Sequence, residues 1–229
     1  MARMARLAIA GLPHHLIQLG HNRQAIFVDD DDRRRYLDAV REAALDSGVS
    51  VHAYVLLANR VHLLATPINE GALSRMMQRV GRRYVGAFNK RHARVGTLWD
   101  GRFRCSVLEP ASYLLACMTE LEVKPVRQGL VHEPQGFAWS SAAHHHGLSN
   151  DPLIVEHPIY WALGNTPFER EAAYKLLTQH ALTCGEDSAI EHSTLKGWAL
   201  GTKSFLASSE GVSARRLSPL SRGRPKSNR

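Results

Sequence analysis

The sequence of 229 residues predicts an α+β fold, with a split βαβ sheet of the ferredoxin-like type. Two observations lead to this prediction. Segments with strand-like alternation and segments with helical spacing of apolar residues follow one another in the order β-α-β-β-α-β-α. The chain is also long enough, with 44% hydrophobic residues, to enclose one substantial core and carry an extension.

The first two elements are a strand and a helix. An apolar run predicts a strand over residues 7–19, with an irregularity where Gly11 and Pro13 interrupt it. A helix is predicted over residues 31–46, because apolar residues recur there at helical spacing. Aspartates precede it as N-caps, and Gly48 is expected to end it.

A hairpin and a second helix follow. Residues 49–57 and 61–66 are rich in β-branched and apolar side chains, and the dipeptide at 58–59 suits a tight turn between two strands. Residues 71–91 then alternate apolar and basic side chains at helical spacing, which predicts an amphipathic helix with a basic face.

The fourth strand is predicted over residues 102–108, followed by a helix that begins at Pro110 and ends at Pro125. Helices are also predicted over 166–181 and 193–208. These elements suggest three regions: a sheet domain over 1–130, a mostly helical extension over 131–208, and a flexible basic tail over 209–229.

Positive charge is concentrated in two segments. Residues 75–104 carry nine Arg or Lys against one acid, and residues 215–229 carry six basic residues and no acid, in a chain of net charge +8. The rest of the chain is therefore net acidic. This distribution favours a polyanionic partner such as nucleic acid, while solvated helix faces and a disordered tail are the plainer interpretation.

Several protein classes are disfavoured. The sequence has no run of about 18 apolar residues, so we expect no membrane span. Its three cysteines lie far apart and form no CxxC pair, which argues against a disulfide framework or a structural zinc site and favours a reducing cytoplasm. The basic and apolar N-terminus is too short for a secretory signal.

Four motifs occur in order along the chain. They read YVLLANRVHLLATP at 54–67, GTLWDGRFR at 96–104, KPVRQGLV at 124–131 and WSS at 139–141. Together they resemble the REP-associated tyrosine transposases of the single-tyrosine HUH superfamily, over about residues 5–205. The resemblance implies the ferredoxin-like fold that the element order also predicts, and it makes the sheet domain a transposase-like HUH domain.

The resemblance also implies a chemistry. In the family, two histidines on one strand face hold Mg²⁺ or Mn²⁺, a helical tyrosine attacks the DNA phosphate, and a polar side chain one turn later completes the metal site. The second histidine corresponds to His62, but the first corresponds to Arg60. The tyrosine falls on Glu120 and the third ligand on Lys124. Arginine offers no lone pair to a metal and a carboxylate cannot replace the phenol, so we expect neither a bound metal nor cleavage.

The replacements suggest an alternative arrangement of the site. Arg60 and Lys124 place two cations where the divalent cation would lie, and Glu120 precedes Lys124 in the favourable i,i+4 order for an ion pair. We expect these three side chains to form a salt-bridge cluster that closes the site and leaves His62 as a remnant. Tyr113 is a poor substitute nucleophile, because seven residues along a helix place it about 10 Å from Glu120.

Other histidines are expected to be structural. Histidines 144–146 are adjacent and cannot all face one ion, which favours a solvated loop over a metal site. His14 and His15 are expected to lie at the irregularity of the first strand.

Candidate DNA contacts lie in both basic segments. In the first segment they are Arg75, Arg79, Arg82, Arg83, Lys90, Arg91, Arg102 and Arg104. In the second, Arg222, Arg224 and Lys226 belong to RGRPK, which resembles the AT-hook core and suits the A·T-rich minor groove. Trp99 is equally compatible with stacking on an unpaired base and with a role as a buried anchor.

Two functions are compatible with these features. The departures at Arg60, Glu120 and Lys124 favour a protein that binds single-stranded or hairpin DNA of the repetitive extragenic palindrome type and has lost cleavage, acting in the cytoplasm on the nucleoid. The alternative is an active transposase that uses different residues. An interaction protein unrelated to nucleic acid leaves both basic segments unexplained. The oligomeric state stays open.

Overall fold

The computed structural model describes residues 6–184, 188–213 and 215–219. Four strands form one sheet: β1 (His14–Leu19), β2 (Val49–Leu57), β3 (Arg60–Pro67) and β4 (Arg104–Val107). Their spatial order is β2-β3-β1-β4, and every neighbouring pair is antiparallel. Because β3 lies between β1 and β2, this is the split βαβ sheet that the element order predicts.

Helices cover both faces of the sheet. They are α1 (Asp30–Ser47), α2 (Ala72–Arg91), α3 (Pro110–Arg127), α4 (Ala142–His145), α5 (Pro158–Trp161), α6 (Pro167–Thr183), α7 (Ser188–Lys196) and α8 (Lys203–Glu210), with short 3-10 turns at His21–Arg23 and Pro134–Gly136. One core cluster joins α1 and α2 to the sheet, and a second joins α3 and α6 to its opposite face. Among the residues that the structure describes, no helix is long and apolar enough to cross a bilayer.

The ends of α1 follow local sequence signals. The Asp29 carboxylate accepts hydrogen bonds from the backbone N–H groups of Asp31 and Asp32, which satisfies donors that an uncapped helix leaves free. At the other end Gly48 adopts a left-handed conformation with φ 69°, which costs glycine little. The predicted start and stop of this helix are confirmed.

The prediction for the first strand is wrong in its first half. Only His14–Leu19 pairs in the sheet, and the segment before it folds back. His14 holds this fold: its Nε2 accepts from the N–H of Ile9 at 3.1 Å, and its Nδ1 lies 2.7 Å from the carbonyl of Leu12. The turn at Gly11, with φ 73°, and Pro13 prevent regular pairing, while Ile9 still reaches a small apolar cluster.

The prediction that Pro125 ends the helix is also wrong, because α3 continues to Arg127. Proline removes one backbone donor but does not stop the following residues from bonding, and the N–H of Gln128 still reaches the carbonyl of Lys124 at 3.0 Å. The helix ends where Gly129 adopts φ 68°. This extra turn is what places Arg127 on the same helix as Glu120.

The C-terminal region departs further from prediction. The helix predicted over 166–181 is present as α6, but residues 193–208 form two helices, α7 and α8, separated by an extended segment at Leu200. The N–H of Leu200 donates to the carbonyl of Val107 at 2.8 Å, so this segment lies along β4. Backbone pairing with β4 replaces helix there, a long-range contact that local periodicity does not reveal.

Part of the predicted flexible tail is packed. Leu217 is buried beside Val107, and its carbonyl accepts from the N–H of Ala199 at 2.9 Å. The predicted tail from residue 209 is therefore wrong as far as residue 219, apart from position 214, which lies outside the described residues. The AT-hook-like residues 222–226 also lie outside them.

Candidate functional site

His62 lies at the centre of the sheet and has a neighbour that the sequence did not suggest. Residues 15 and 62 lie on adjacent strands, and His15 Nε2 is 3.0 Å from His62 Nδ1, with the rings stacked. Both side chains are fully buried. The second ring nitrogen of His62, Nε2, is buried without a hydrogen-bond partner.

Helix α7 covers this histidine pair. Thr194 Oγ1 lies 2.8 Å from His15 Nδ1, and the preceding residue, Ser193, contacts Ser106 of β4 at 3.3 Å. Burial, with the positive charge of Lys124, lowers the pKa of His15 to about 3. Burial also holds the pKa of His62 well below its ordinary value, and the positive charges of Lys124 and Arg60 act in the same direction. Both rings are therefore neutral near pH 7.

A chain of ion pairs lies beside the histidines. The Nζ of Lys124 is 3.3 Å from Glu120 Oε1 and 3.0 Å from Glu191 Oε2. The side chains of Lys124 and Glu120 are only 6% and 5% exposed, so this pair is almost fully desolvated. The i,i+4 pair expected from the sequence is present, and Glu191 from α7 joins it.

Two arginines complete the charge cluster of Arg60, Glu120, Lys124, Arg127 and Glu191. Arg60 Nη1 lies 3.0 Å from Glu191 Oε1, so it reaches the cluster through α7 rather than by touching Glu120. Arg127 Nη1 lies 2.5 Å from Glu120 Oε2, and its Nη2 donates to the carbonyl of Ala181 at 2.7 Å. The cluster therefore ties β3, α3, α6 and α7 together.

The ion pairs of the cluster do not suit the metal-dependent chemistry that the sequence motifs imply. Glu120 is held between two cations, and Arg60 and Lys124 are engaged as donors. Within the described ranges, no group of three or more His, Cys, Asp or Glu side chains is placed to hold a metal ion. Arg60 and Lys124, at the two positions that the motif resemblance assigns to metal ligands, do not fit a divalent cation, because their positive charges repel it and offer no lone pair.

A second buried network holds α3 in place. The Glu122 carboxylate accepts from Ser141 Oγ at 2.5 Å, His145 Nδ1 at 2.6 Å and Tyr174 OH at 2.8 Å. Glu122, Ser141, His145 and Tyr174 are all fully buried. The expected solvated loop at histidines 144–146 is therefore wrong: His145 is a core donor to the helix that carries Glu120.

Much of the basic face of α2 is engaged by α1. Arg79 pairs with Asp46, Arg83 with Glu42, and Arg91 with Asp29 at 2.6 Å. The sequence predicted α1 as a helix but did not predict that its acids lie against the basic face of α2. The ion pairs reduce the positive potential that α2 presents to a phosphate.

The other candidate contacts in the first basic segment are exposed. Arg75 donates to Asn69 at 2.9 Å. Arg82 and Lys90 lie on the solvent side of α2, and Arg102 and Arg104 flank the buried Phe103 at the start of β4. These exposed side chains are better suited to contact a phosphate than the arginines that are paired with acids.

Sequence reasoning missed four members of the site. Arg127 lies seven residues after Glu120, so helical periodicity already places both on one face once Pro125 is allowed inside the helix. Glu191 and Thr194 lie three residues apart on α7, where the helix boundary was predicted wrongly. His15 carries no local signal, because only the pairing of β1 with β3 brings it to His62.

Comparisons with known proteins give the same fold and a family match. Residues 8–115 match a family described as transposase, IS200 like. The structure is similar to that of a REP-associated tyrosine transposase bound to a REP hairpin, with TM-score 0.55 and 16% identity, covering 69% of this chain and 93% of that chain. A structure described as a candidate transposase from Deinococcus radiodurans R1 has TM-score 0.35 and 24% identity, covering 51% of this chain and 94% of that one. No curated protein matches the sequence.

Proposed function

Because residues 8–115 of this chain belong to the IS200-like transposase family, we propose that the protein binds DNA hairpins without cleaving them. The observation that carries the proposal is the charge cluster. Glu120 occupies the position of the nucleophile and is held by Lys124 and Arg127, at 3.3 and 2.5 Å. A carboxylate between two cations cannot form the stable phosphodiester link that a tyrosine forms.

The metal positions support the same conclusion. Family chemistry requires a divalent cation that polarises the scissile phosphate. Here Arg60 and Lys124 stand at two of the three ligand positions, and Glu191 binds both of them at 3.0 Å. These ion pairs hold Arg60 and Lys124 in place without a metal. Of the three ligand positions, only His62 presents a nitrogen with a lone pair.

DNA binding is supported by charge and by family. The exposed cations Arg82, Lys90, Arg102 and Arg104 are available to phosphates. The solved relative of similar fold carries a REP hairpin. We extend this partner class to the present chain, with single-stranded or hairpin DNA as the ligand. The RGRPK segment at 222–226 is proposed as a second contact, in an A·T-rich minor groove.

The test is a selection followed by a cleavage assay. The full-length protein is incubated with a pool of DNA hairpins that have randomised stems and single-stranded flanks, and the retained DNA is sequenced. We expect one stem-loop class to be enriched. Retention that falls steeply with salt but enriches no stem-loop would contradict hairpin recognition and leave only general phosphate binding.

The selected hairpin then reports on chemistry. It is labelled at either end and incubated with the protein and Mg²⁺ or Mn²⁺, and the products are separated under denaturing conditions. Intact DNA and no covalent adduct are expected. A shortened strand or a protein–DNA adduct would instead establish an active transposase that uses non-standard residues.

A further inference from the structure

A cleft at the edge of the sheet gathers positive charge from distant parts of the chain. It has a volume of about 180 Å³ and lies between the start of β4 and the turn after α7. Within the part of the chain that the structure describes, five cations and no carboxylate line it: Arg6, Arg102, Arg104, Lys196 and Arg215. Lys196 and Arg215 come from the extension, beyond the residues that match the transposase family.

The cleft differs from the basic face of α2 in its charge balance. Arg79, Arg83 and Arg91 pair with acids of α1 and its N-cap. Arg102 and Lys196, by contrast, form no ion pair with any other residue that the structure describes. Positive charges that lie close together repel one another, so a bound anion would stabilise this arrangement.

A larger cavity adjoins the cleft. It has a volume of about 430 Å³ and shares Arg6, Arg102 and Phe103 with the cleft, so the two form one groove around the edge of β4. Its walls come from α2 and from the loop that carries Trp99. This volume is within the range of sites that enclose a small planar ligand.

The lining of the larger cavity suits a nucleobase. Trp99 is half-buried, with its ring edge-on to Tyr36 at 6.3 Å between centroids. Tyr36 is 0% exposed, and its hydroxyl has no hydrogen-bond partner. Burial raises the pKa of this hydroxyl, which therefore stays protonated and can both donate and accept. A buried hydroxyl left unsatisfied is costly, and a base edge would satisfy it.

We propose that this groove holds a segment of single-stranded DNA, with a backbone phosphate in the Arg102–Lys196 cleft and an unpaired base in the Tyr36–Trp99 cavity. The proposal rests on the proposed DNA-binding function and adds to it the path of the unpaired strand. A paired stem does not fit, because its bases are stacked and hydrogen-bonded inside the duplex, whereas an unpaired base enters a pocket without breaking a pair. The C-terminal extension thereby becomes part of the DNA site.

The phosphate half is tested with fluorescein-labelled (dT)12 and the full-length protein, by anisotropy at several salt concentrations. Arg102→Gln and Lys196→Gln should each weaken binding about tenfold and reduce the salt dependence by about 0.7 in slope per lost contact. Lys203→Gln is the matched control, since it removes the same charge from an exposed residue of the extension outside both cavities. Equal changes in affinity and salt dependence in all three variants would refute the cleft as a phosphate site.

The base half is tested with a pair of tyrosine variants. Tyr36→Phe removes a hydroxyl that has no partner in the free protein, so it should weaken (dT)12 binding about three- to tenfold without lowering the Tm. Tyr84→Phe removes a hydroxyl that donates to the carbonyl of Ile26 at 2.5 Å, so it should lower the Tm and leave affinity unchanged. Unchanged affinity in Tyr36→Phe would overturn the base pocket.

The two proposals fail in different ways. One outcome is that a hairpin is enriched from the pool while substitution of Arg102, Lys196 or Tyr36 leaves (dT)12 affinity unchanged. This outcome would support hairpin recognition and refute the groove as the single-strand site. Sensitivity of (dT)12 binding to these residues without hairpin enrichment would establish the groove and refute hairpin specificity.

Discussion

Replacing Glu122 by glutamine should lower the free energy of unfolding by about 3 kcal/mol at neutral pH. The carboxylate is 0% exposed and accepts three short hydrogen bonds, from Ser141, His145 and Tyr174. A hydrogen bond to a charged group contributes about 1.5–3 kcal/mol. Glutamine keeps one acceptor oxygen and turns an amide donor toward groups that themselves donate, so at least one donor loses its partner.

The assay is urea or thermal unfolding followed by circular dichroism. For a chain of this size about 3 kcal/mol corresponds to a fall in Tm of about 6–12 °C. Tyr174→Phe breaks one of the three bonds and should cost about 1–2 kcal/mol. Glu210→Gln removes an exposed carboxylate and serves as the matched control. A loss below about 1 kcal/mol in Glu122→Gln would refute the reasoning that this network anchors α3.

The same variant has a predictable pH dependence. Burial raises the pKa of Glu122, but His145, Ser141 and Tyr174 together outweigh it and hold the pKa below its usual range. The stabilisation is therefore fully present above the ordinary carboxyl pKa of about 4.3 and is lost as the pH falls through the lowered folded value. The difference between wild type and variant should stay constant down to about pH 5 and shrink only below it.

Two further predictions concern the site, and a third concerns buried histidines. Glu191→Gln removes the negative charge and one of the two oxygens that hold Arg60 and Lys124, and amide hydrogen exchange in α7 should accelerate several-fold. A triple variant restores the family ligands and nucleophile with the substitutions Arg60→His, Glu120→Tyr and Lys124→Asn. It should bind Mn²⁺ through the free Nε2 of His62, and calorimetry measures this binding. Burial is the chief cause that lowers the pKa values of His14, His15 and His52, to about 4, 3 and 4. The free energy of unfolding should therefore fall by about 1.4 kcal/mol per histidine per pH unit as the pH drops below about 6.5.

Each of these outcomes has a control. Exchange in α7 that stays unchanged in Glu191→Gln would show that apolar packing alone holds this helix. Mn²⁺ binding in the triple variant should disappear when His62→Ala is added, and binding that persists would contradict the assigned ligand positions. A free energy of unfolding that is flat between about pH 6.5 and 5 would contradict neutral, buried histidines.

Local signals determined the first helix and the hairpin. The Asp29 cap and Gly48 set the ends of α1, and the turn at 58–59 set the hairpin, because caps and turns depend on a few neighbouring residues. The motif mapping likewise identified the Glu120–Lys124 pair, since two residues one turn apart on a helix are neighbours whatever surrounds them.

The tertiary structure decided what the local signals could not. Glu191 reaches Lys124 across 67 positions of sequence, and His15 reaches His62 across 47. The acids of α1 neutralise arginines of α2 that looked free in the sequence. Such pairs depend on the packing of whole elements, to which residues distant in sequence contribute. The sequence therefore determined which residues stand at the positions that the motif resemblance assigns to the site, and only the fold decided which partners hold them and which cations are exposed.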